Sequence, residues 1–231
     1  MLMHVKRFLR KFGFDVVRYR SFGDDILTPL APKTILDIGA NNGKSAQEMR
    51  KRFPHAQIYS FEPLQDCFRE LTKKMAGDKN FQAFNVALGK ESGESVIKRS
   101  SFHPSSSILT MSNLHKTLYP KSAGMSEERI TIARLDDTVR DIKIEKPLFI
   151  KMDVQGFEAE VIKGGSETLK HAELVLMETS FVPLYENQPL FGDIHTLMQE
   201  RGFEYRGRAE SHYNKNTNEL LYEDSVFVRK N

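Results

Sequence analysis

The chain has 231 residues, 39% hydrophobic and 28% charged, with a net charge of +3 at pH 7. That suffices for one sizeable core and is short of two full domains, and so small an excess charge leaves no electrostatic footprint for nucleic acid. No run approaches the roughly eighteen apolar residues of a membrane-spanning helix, the single cysteine, Cys67, points to a reducing, cytoplasmic compartment, and seven scattered histidines without ligand spacing argue against zinc.

Residues 1–20 carry six Lys/Arg, at 6, 7, 10, 11, 18 and 20, against the single acid Asp15. Val5, Phe8, Leu9 and Phe12 fall on one helical face, with Lys6, Arg7, Arg10 and Lys11 around the rest. Three readings stay open: a helix packed on the domain, a helix lying on the anionic inner face of a membrane, or a targeting peptide, although the long apolar stretch of a secretory signal is missing. Residues 1–30 are set apart as a basic amphipathic segment, and 31–231 form one domain.

From residue 33 onward, apolar runs alternate with helical periodicity. Strands are expected at 34–38, 57–61 and 81–86, separated by helices at 44–53 and 64–75. A fourth strand at 148–152 precedes a helix at 157–163, which stops at Gly164-Gly165, where glycine makes a left-handed cap cheap. A fifth strand at 174–177 and a helix at 194–200 lead to strands at 203–206 and 225–229, expected antiparallel at one edge. Strands separated by helices imply right-handed crossovers and a mostly parallel sheet covered on both faces. The fold class is α/β: a doubly wound, mostly parallel seven-stranded sheet with an antiparallel edge.

The interval before the fourth strand is too long for one crossover helix. Residues 95–98 and 129–135 alternate like strands, which makes about 90–146 a β insertion. Within it, SSFHPSSSILTMSN (100–113) holds six serines, and reads either as a solvated loop or as a lid. Asp136 and Asp137 are expected to cap a short helix.

In open α/β sheets ligands bind beyond the carboxyl ends of the strands, where the strand order reverses. The stretch ILDIGANNGKS (35–45) closes the first strand and belongs there. It resembles a phosphate-binding loop, yet only Ala40, Asn41 and Asn42 separate Gly39 from Gly43 where that motif has four residues, and Lys44 reads as a first-turn helix residue. The second strand ends IYSFEP, placing Glu62 where a carboxylate can accept both hydroxyls of a ribose. Asp37 adds a second negative group and favours a cation over a phosphate chain. Asn85, closing the third strand, could bond an adenine edge. Ribose, adenine and a cationic centre without phosphate describe S-adenosylmethionine. The rival is a P-loop-like nucleotide hydrolase or kinase, with residues 148–153 imitating its second motif.

The stretches DIGANNG, FEP, NVALG and above all IKMDVQGFEAEVIKGG resemble the FkbM family of methyltransferases, in order, over about residues 33–229. The resemblance implies a class I S-adenosylmethionine-dependent fold and O-methylation of hydroxyls on sugars and natural products. It places Asp37, Gly39, Asn41 and Gly43 along the methionine part of the cofactor, and Glu62 on its ribose. The chain departs from the family pattern at Gln155, where many members carry Glu.

Methyl transfer requires an aligned acceptor oxygen and a destination for its proton. Lys151 and Asp153, two apart in FIKMD, share a face of the fourth strand. An unpaired buried charge there would cost several kcal/mol, so both are expected at the strand end, facing the acceptor, with Glu178 beside them at the end of the fifth strand. Three arrangements stay open. Asp153 and Glu178 could bind Mg²⁺ that acidifies the hydroxyl; Asp153 or Lys151 could take the proton directly; or the three could form only an ion-pair network. Tyr185, Tyr119 and His103 are candidates for the acceptor pocket, Glu158 for a first-turn contact with the helix dipole, and Cys67 for the core. The expected activity is O-methylation of a sugar or glycoconjugate, glycolipids included. Nucleic acid is not expected as substrate, since the Asn/Asp-Pro-Pro-aromatic stretch common in base methylation is absent. A cofactor-binding module without catalysis is the alternative from another class, and nothing fixes the oligomeric state.

Overall fold

The computed structural model describes residues 29–101 and 103–230; the basic segment 1–20 lies outside them. Strand β1 (Thr34–Ile38) is buried along its whole length because it pairs in parallel on both sides, with β2 (Gln57–Phe61) and with β7 (Leu148–Met152). Its residues alternate between two cores. Ile35 packs with Met49 and Phe53 on one face of the sheet, whereas Leu36 packs with Val161, Ile162 and Met198 on the other. A strand covered on both faces needs apolar residues at every position, and burying each large one stabilises by roughly 1.5–3 kcal/mol. The polar exceptions in β1 are Thr34, at its start, and Asp37.

Seven strands form the main sheet in the spatial order β3 (Phe81–Phe84), β2, β1, β7, β8 (Ala172–Ser180), β10 (Leu220–Arg229) and β9 (Phe203–Tyr213). Strand β10 is antiparallel to both its neighbours, and the other pairs are parallel. The order reverses between β1 and β7, which opens the crevice at their carboxyl ends. Helices α1 (Lys44–Arg52), α2 (Gln65–Lys74), α5 (Glu158–Gly164) and α7 (Phe191–Glu200) cover the sheet. The doubly wound fold with an antiparallel edge is as expected. No helix among the described residues is long and apolar enough to cross a membrane.

Between β3 and β7 a second sheet forms in the order β4 (Ala87–Gly89), β6 (Met125–Arg134) and β5 (Gly93–Ser100). The short helices α3 (Asn113–Leu118) and α4 (Leu135–Thr138) complete the insertion, and α6 (Ser166–Leu169) follows α5. Ala87, Ile97 and Ile130 pack on Leu64 and Cys67, which is buried in α2 as expected of a core residue.

Four expectations need correction. The third strand stops at Phe84, and the Ala87–Gly89 stretch turns away into the second sheet. The edge strand β9 and its neighbour β10 run well beyond their apolar cores, because pairing continues through polar residues. Gly164 and Gly165 do not form a left-handed cap: neither has positive φ. They are small because a Cβ on Gly164 would lie 1.9 Å from the Gly89 carbonyl oxygen, and one on Gly165 2.7 Å from Leu135. Finally, Asp136 lies inside α4, not before it, and caps α6 instead, accepting from Glu167 N (3.1 Å), Thr168 N (2.8 Å) and the Thr168 hydroxyl (2.7 Å).

Candidate active site

The turn after β1 is held from both sides. Gly39 N and Ala40 N donate to the Phe61 carbonyl (3.0 and 3.1 Å), and Asp153 N donates to the Ile38 carbonyl (3.0 Å). Gly39 sits at φ 79, and a Cβ there would fall 1.9 Å from the Asp153 carbonyl oxygen. Gly43 adopts φ 83 with Leu71 close behind it, and Asn41 takes the left-handed conformation at φ 48. Only residues tolerant of positive φ suit such a turn. Lys44 is indeed the first residue of α1, and its exposed side chain reaches Glu48 at 3.9 Å.

A cavity of about 630 Å³ opens over this turn, within the usual size of small-ligand sites. Gly39, Asn41, Glu62, Lys151 and Asp153 line it, as do the apolar Phe61, Leu64 and Leu88. The insertion supplies a further wall through Ile97, Pro104, Ser106 and Ile108. Asp37, Gly43, Asn85 and Glu178 are not among the lining residues.

Glu62 is 5% exposed, and its two carboxylate oxygens accept from Asn41 N and Leu64 N, both at 2.8 Å. Each oxygen can accept once more. Burial pushes its pKa up to about 7, against the pull of those two amides. Asp37 lies behind the turn, fully buried. Its Oδ2 accepts from Ser45 (2.7 Å) and Ser60 (3.3 Å), while Oδ1 has no hydrogen-bond partner and lies 4.0 Å from the Lys151 ammonium. Burial raises the Asp37 pKa, and Lys151 and the two serines oppose the rise. Asn85 is occupied elsewhere: its amide donates to the carbonyls of Glu62 and Pro63, both at 2.9 Å, and so clamps the end of β2.

Lys151 stands between two acids, with Asp153 Oδ2 at 3.5 Å and Asp37 on the other side. Burial lowers its pKa, but Asp153, Asp37 and Asp224 together outweigh burial and the net shift is upward, so it stays a cation. Asp153 Oδ1 accepts from Gln155 Nε2 at 2.8 Å, and the same nitrogen lies 3.4 Å from Glu178 Oε1. Glu178 has its pKa raised by burial and then by Asp153, Glu158 and Asp224. Asp224, its cross-strand neighbour on β10, is pushed up to about 6 by burial and by Asp153. Among the described residues, no group of three or more His, Cys, Asp or Glu side chains is placed to hold a metal ion.

Glu158 does more than face a helix dipole. Its Oε1 accepts from Val154 N (3.1 Å) and Gly156 N (3.3 Å), which fastens the turn after β7, and burial raises its pKa to about 7. Tyr185 is buried, with its hydroxyl on Gln155 Oε1 (2.8 Å) and near the Ser105 carbonyl (3.1 Å). Tyr119 hydrogen-bonds Tyr222. Of His103 only the backbone is described, in the short turn His103–Ser105.

Sequence reasoning missed Ser45, Ser60 and Asp224, and noted Gln155 only as a departure from the family pattern. Ser60 left a signal, a small hydroxyl residue inside the largely apolar strand QIYSF, and the register sets it directly across from Asp37. Asp224 left none, since its approach to Glu178 depends on the antiparallel register of β10.

Residues 37–205 match the family described as Methyltransferase FkbM domain. Over 165 residues the chain is 32% identical to the 2-O-methyltransferase NoeI of Sinorhizobium fredii, a match covering 67% of this chain and 66% of NoeI. It is 28% identical over 145 residues to the hexuronic acid methyltransferase AglP of Haloferax volcanii, covering 62% of this chain and 54% of AglP. The crystal structure of methyltransferase FkbM from Methylobacillus flagellatus superposes with a TM-score of 0.53 at 12% identity, over 86% of this chain and 44% of that one. The chain thus spans about two thirds of NoeI and less than half of the crystallised protein.

Proposed function

Because the chain belongs to the FkbM family and carries its S-adenosylmethionine-dependent methyltransferase domain, we propose that it transfers a methyl group to a hydroxyl of a sugar or glycoconjugate. One observation carries the reading: Gly39 of the cofactor turn and the backbone of Asp153 meet in direct contact at the reversal of strand order, beneath one cavity. On this reading the methyl source and the proton acceptor lie side by side.

The residues fit the cofactor. Glu62 offers acceptors to a ribose, and the apolar Phe61, Leu64 and Leu88 suit a flat base. When bound, the cofactor supplies a methyl group on a sulfonium, activated for in-line displacement. Asp153 orients the acceptor hydroxyl and takes its proton as the new bond forms. Lys151, held as a cation 3.5 Å from Asp153 Oδ2, braces that carboxyl group and does not serve as the base. Asn85 supports the cofactor indirectly, by fixing the chain around Glu62. The acceptor class follows the relatives, one named a 2-O-methyltransferase and the other a hexuronic acid methyltransferase.

The site does not fit Mg²⁺. The place a cation would take between Asp153 and Glu178 is filled by the Gln155 amide, which offers donors instead of acceptors. No step is routed through a metal, and chelator is expected to leave the rate unchanged.

Transfer from methyl-tritiated S-adenosylmethionine to methyl glycosides of neutral hexoses and of hexuronic acids tests the reading. Asp153→Asn is expected to lower kcat by about 10²–10⁴-fold with cofactor affinity retained. Cofactor binding without transfer to any hydroxylated acceptor would instead mark a binding module, and preferential binding of ATP would revive the hydrolase rival. We place the protein in the cytoplasm, consistent with the lone, buried Cys67. The proposal that residues 1–20 touch a membrane surface is checked by liposome sedimentation with and without them.

A further inference from the structure

Gln155 adopts φ 55, a left-handed conformation in a residue that is not glycine. Outside glycine this costs on the order of 1 kcal/mol, so the side chain must offset it. Every polar atom of that side chain is engaged. Nε2 donates to Asp153 Oδ1 at 2.8 Å and points its other proton toward Glu178 Oε1 at 3.4 Å, and Oε1 accepts from the Tyr185 hydroxyl at 2.8 Å. The reverse amide orientation would aim an oxygen at two carboxylates, so a single orientation satisfies the inventory of donors and acceptors.

The far end of this chain of bonds is fixed. Tyr185 is 1% exposed. Its backbone N–H and that of Leu184 both donate to Gln188 Oε1, at 3.1 and 3.0 Å, and a β-bridge ties Tyr185 to Met111 in the insertion. The His115 ring packs edge-on against it at 5.1 Å. The insertion also grips Gln155 directly, through the Ser107 hydroxyl on its carbonyl oxygen at 2.7 Å. At the near end, Asp153 has one oxygen on the Gln155 amide and the other beside the Lys151 ammonium. A carboxylate with a donor on each oxygen is fixed in plane as well as in position.

We propose that Gln155 is a positioning residue, which holds the Asp153 carboxylate in its reactive orientation through a chain of hydrogen bonds anchored on the buried Tyr185. The inference rests on the methyl-transfer reading above and deepens it. A reacting group displaced by about 1 Å can cost on the order of a hundredfold in rate.

The test uses a variant that the backbone welcomes. Gln155→Gly removes the side chain where φ already favours glycine, so folding is preserved and thermal stability is expected to stay level or rise. Cofactor Kd and acceptor KM are expected to stay within about twofold, while kcat falls by roughly ten- to a hundredfold. Tyr185→Phe is expected to lower kcat less, and the double variant no further than Gln155→Gly alone, because the two act through one chain. An unchanged kcat in Gln155→Gly overturns the proposal, as do losses that multiply in the double variant. Failure of the unaltered protein to methylate any of the glycosides would sink the methyl-transfer reading instead. The bond chain is then read from the Gln155 side-chain amide resonances. Two well-separated proton signals that move in both Tyr185→Phe and Asp153→Asn support it, and signals indifferent to both overturn it.

Discussion

The turns after β1 and after β7 are built on the same device and used differently. Each is fastened by a buried glutamate that accepts two backbone N–H groups: Glu62 from Asn41 and Leu64, Glu158 from Val154 and Gly156. In each, burial lifts the carboxyl pKa to about 7. Glu62 lines the cavity and spreads its two bonds over both oxygens, whereas Glu158 lies outside it and receives both on one oxygen. The same fastening leaves a carboxylate on the cavity wall in one turn and away from it in the other. The difference between them is which side of the chain meets the cavity.

The two turns touch at Gly39, and breaking that contact is expected to have the largest effect. Gly39→Ala must move the Asp153 backbone or distort the turn, and should lower unfolding free energy in urea by about 4 kcal/mol. A loss under about 1 kcal/mol would show that the turns are not braced on each other.

Exchanging each glutamate for glutamine separates their tasks. The folded pKa of Glu158 lies above its unfolded value of 4.5. Its protonated form therefore favours the folded state, and the protein loses stability as pH rises from about 4.5 through about 7. Glu158→Gln keeps an acceptor for both amides without the buried charge. It should raise stability at pH 8 by up to about 3 kcal/mol and leave stability at pH 4 and cofactor affinity unchanged. Equal stability changes at both pH values would contradict this.

Glu62→Gln should act mainly on the ligand. Losing a charged acceptor is expected to weaken S-adenosylmethionine binding about tenfold or more, from the usual worth of hydrogen bonds to charged groups, as measured by calorimetry. An unaltered Kd would mean the ribose lies elsewhere. The smallest effect is expected from Asn85→Ala, a loss of roughly 1 kcal/mol of stability with cofactor affinity retained. Weakened binding there, at intact stability, would return Asn85 to the adenine.

Much of this architecture was legible. Parallel strands covered on both faces write themselves as unbroken apolar runs, so β1, β2 and β7 were read within a residue of their ends. The place of Glu62 and Asp153 on the cavity wall was legible because an acid closing such a run has few structural uses. The last two strands were truncated because their pairing runs on through polar residues, such as Glu223, Asp224 and Ser225 in β10, that interrupt the apolar run. Gly164 was misread because a glycine needed for closeness and a glycine needed for positive φ look alike in sequence; only the approach of the Gly89 carbonyl tells them apart. Gln155 was set aside because its value lies in partners brought from residues 107, 178 and 185 by the fold.

The meeting of Gly164 with Gly89 has a mechanical consequence. Helix α5 and the first strand of the insertion touch backbone to backbone, with no side chain between them to slide or repack, so the root of the insertion is welded to the body of the enzyme. Its far portion, about 100–124, is tied down by hydrogen bonds and a β-bridge, joints that can be rewritten one residue at a time. Variety in what this scaffold accepts would therefore accumulate at the tip, while the hinge line stays frozen.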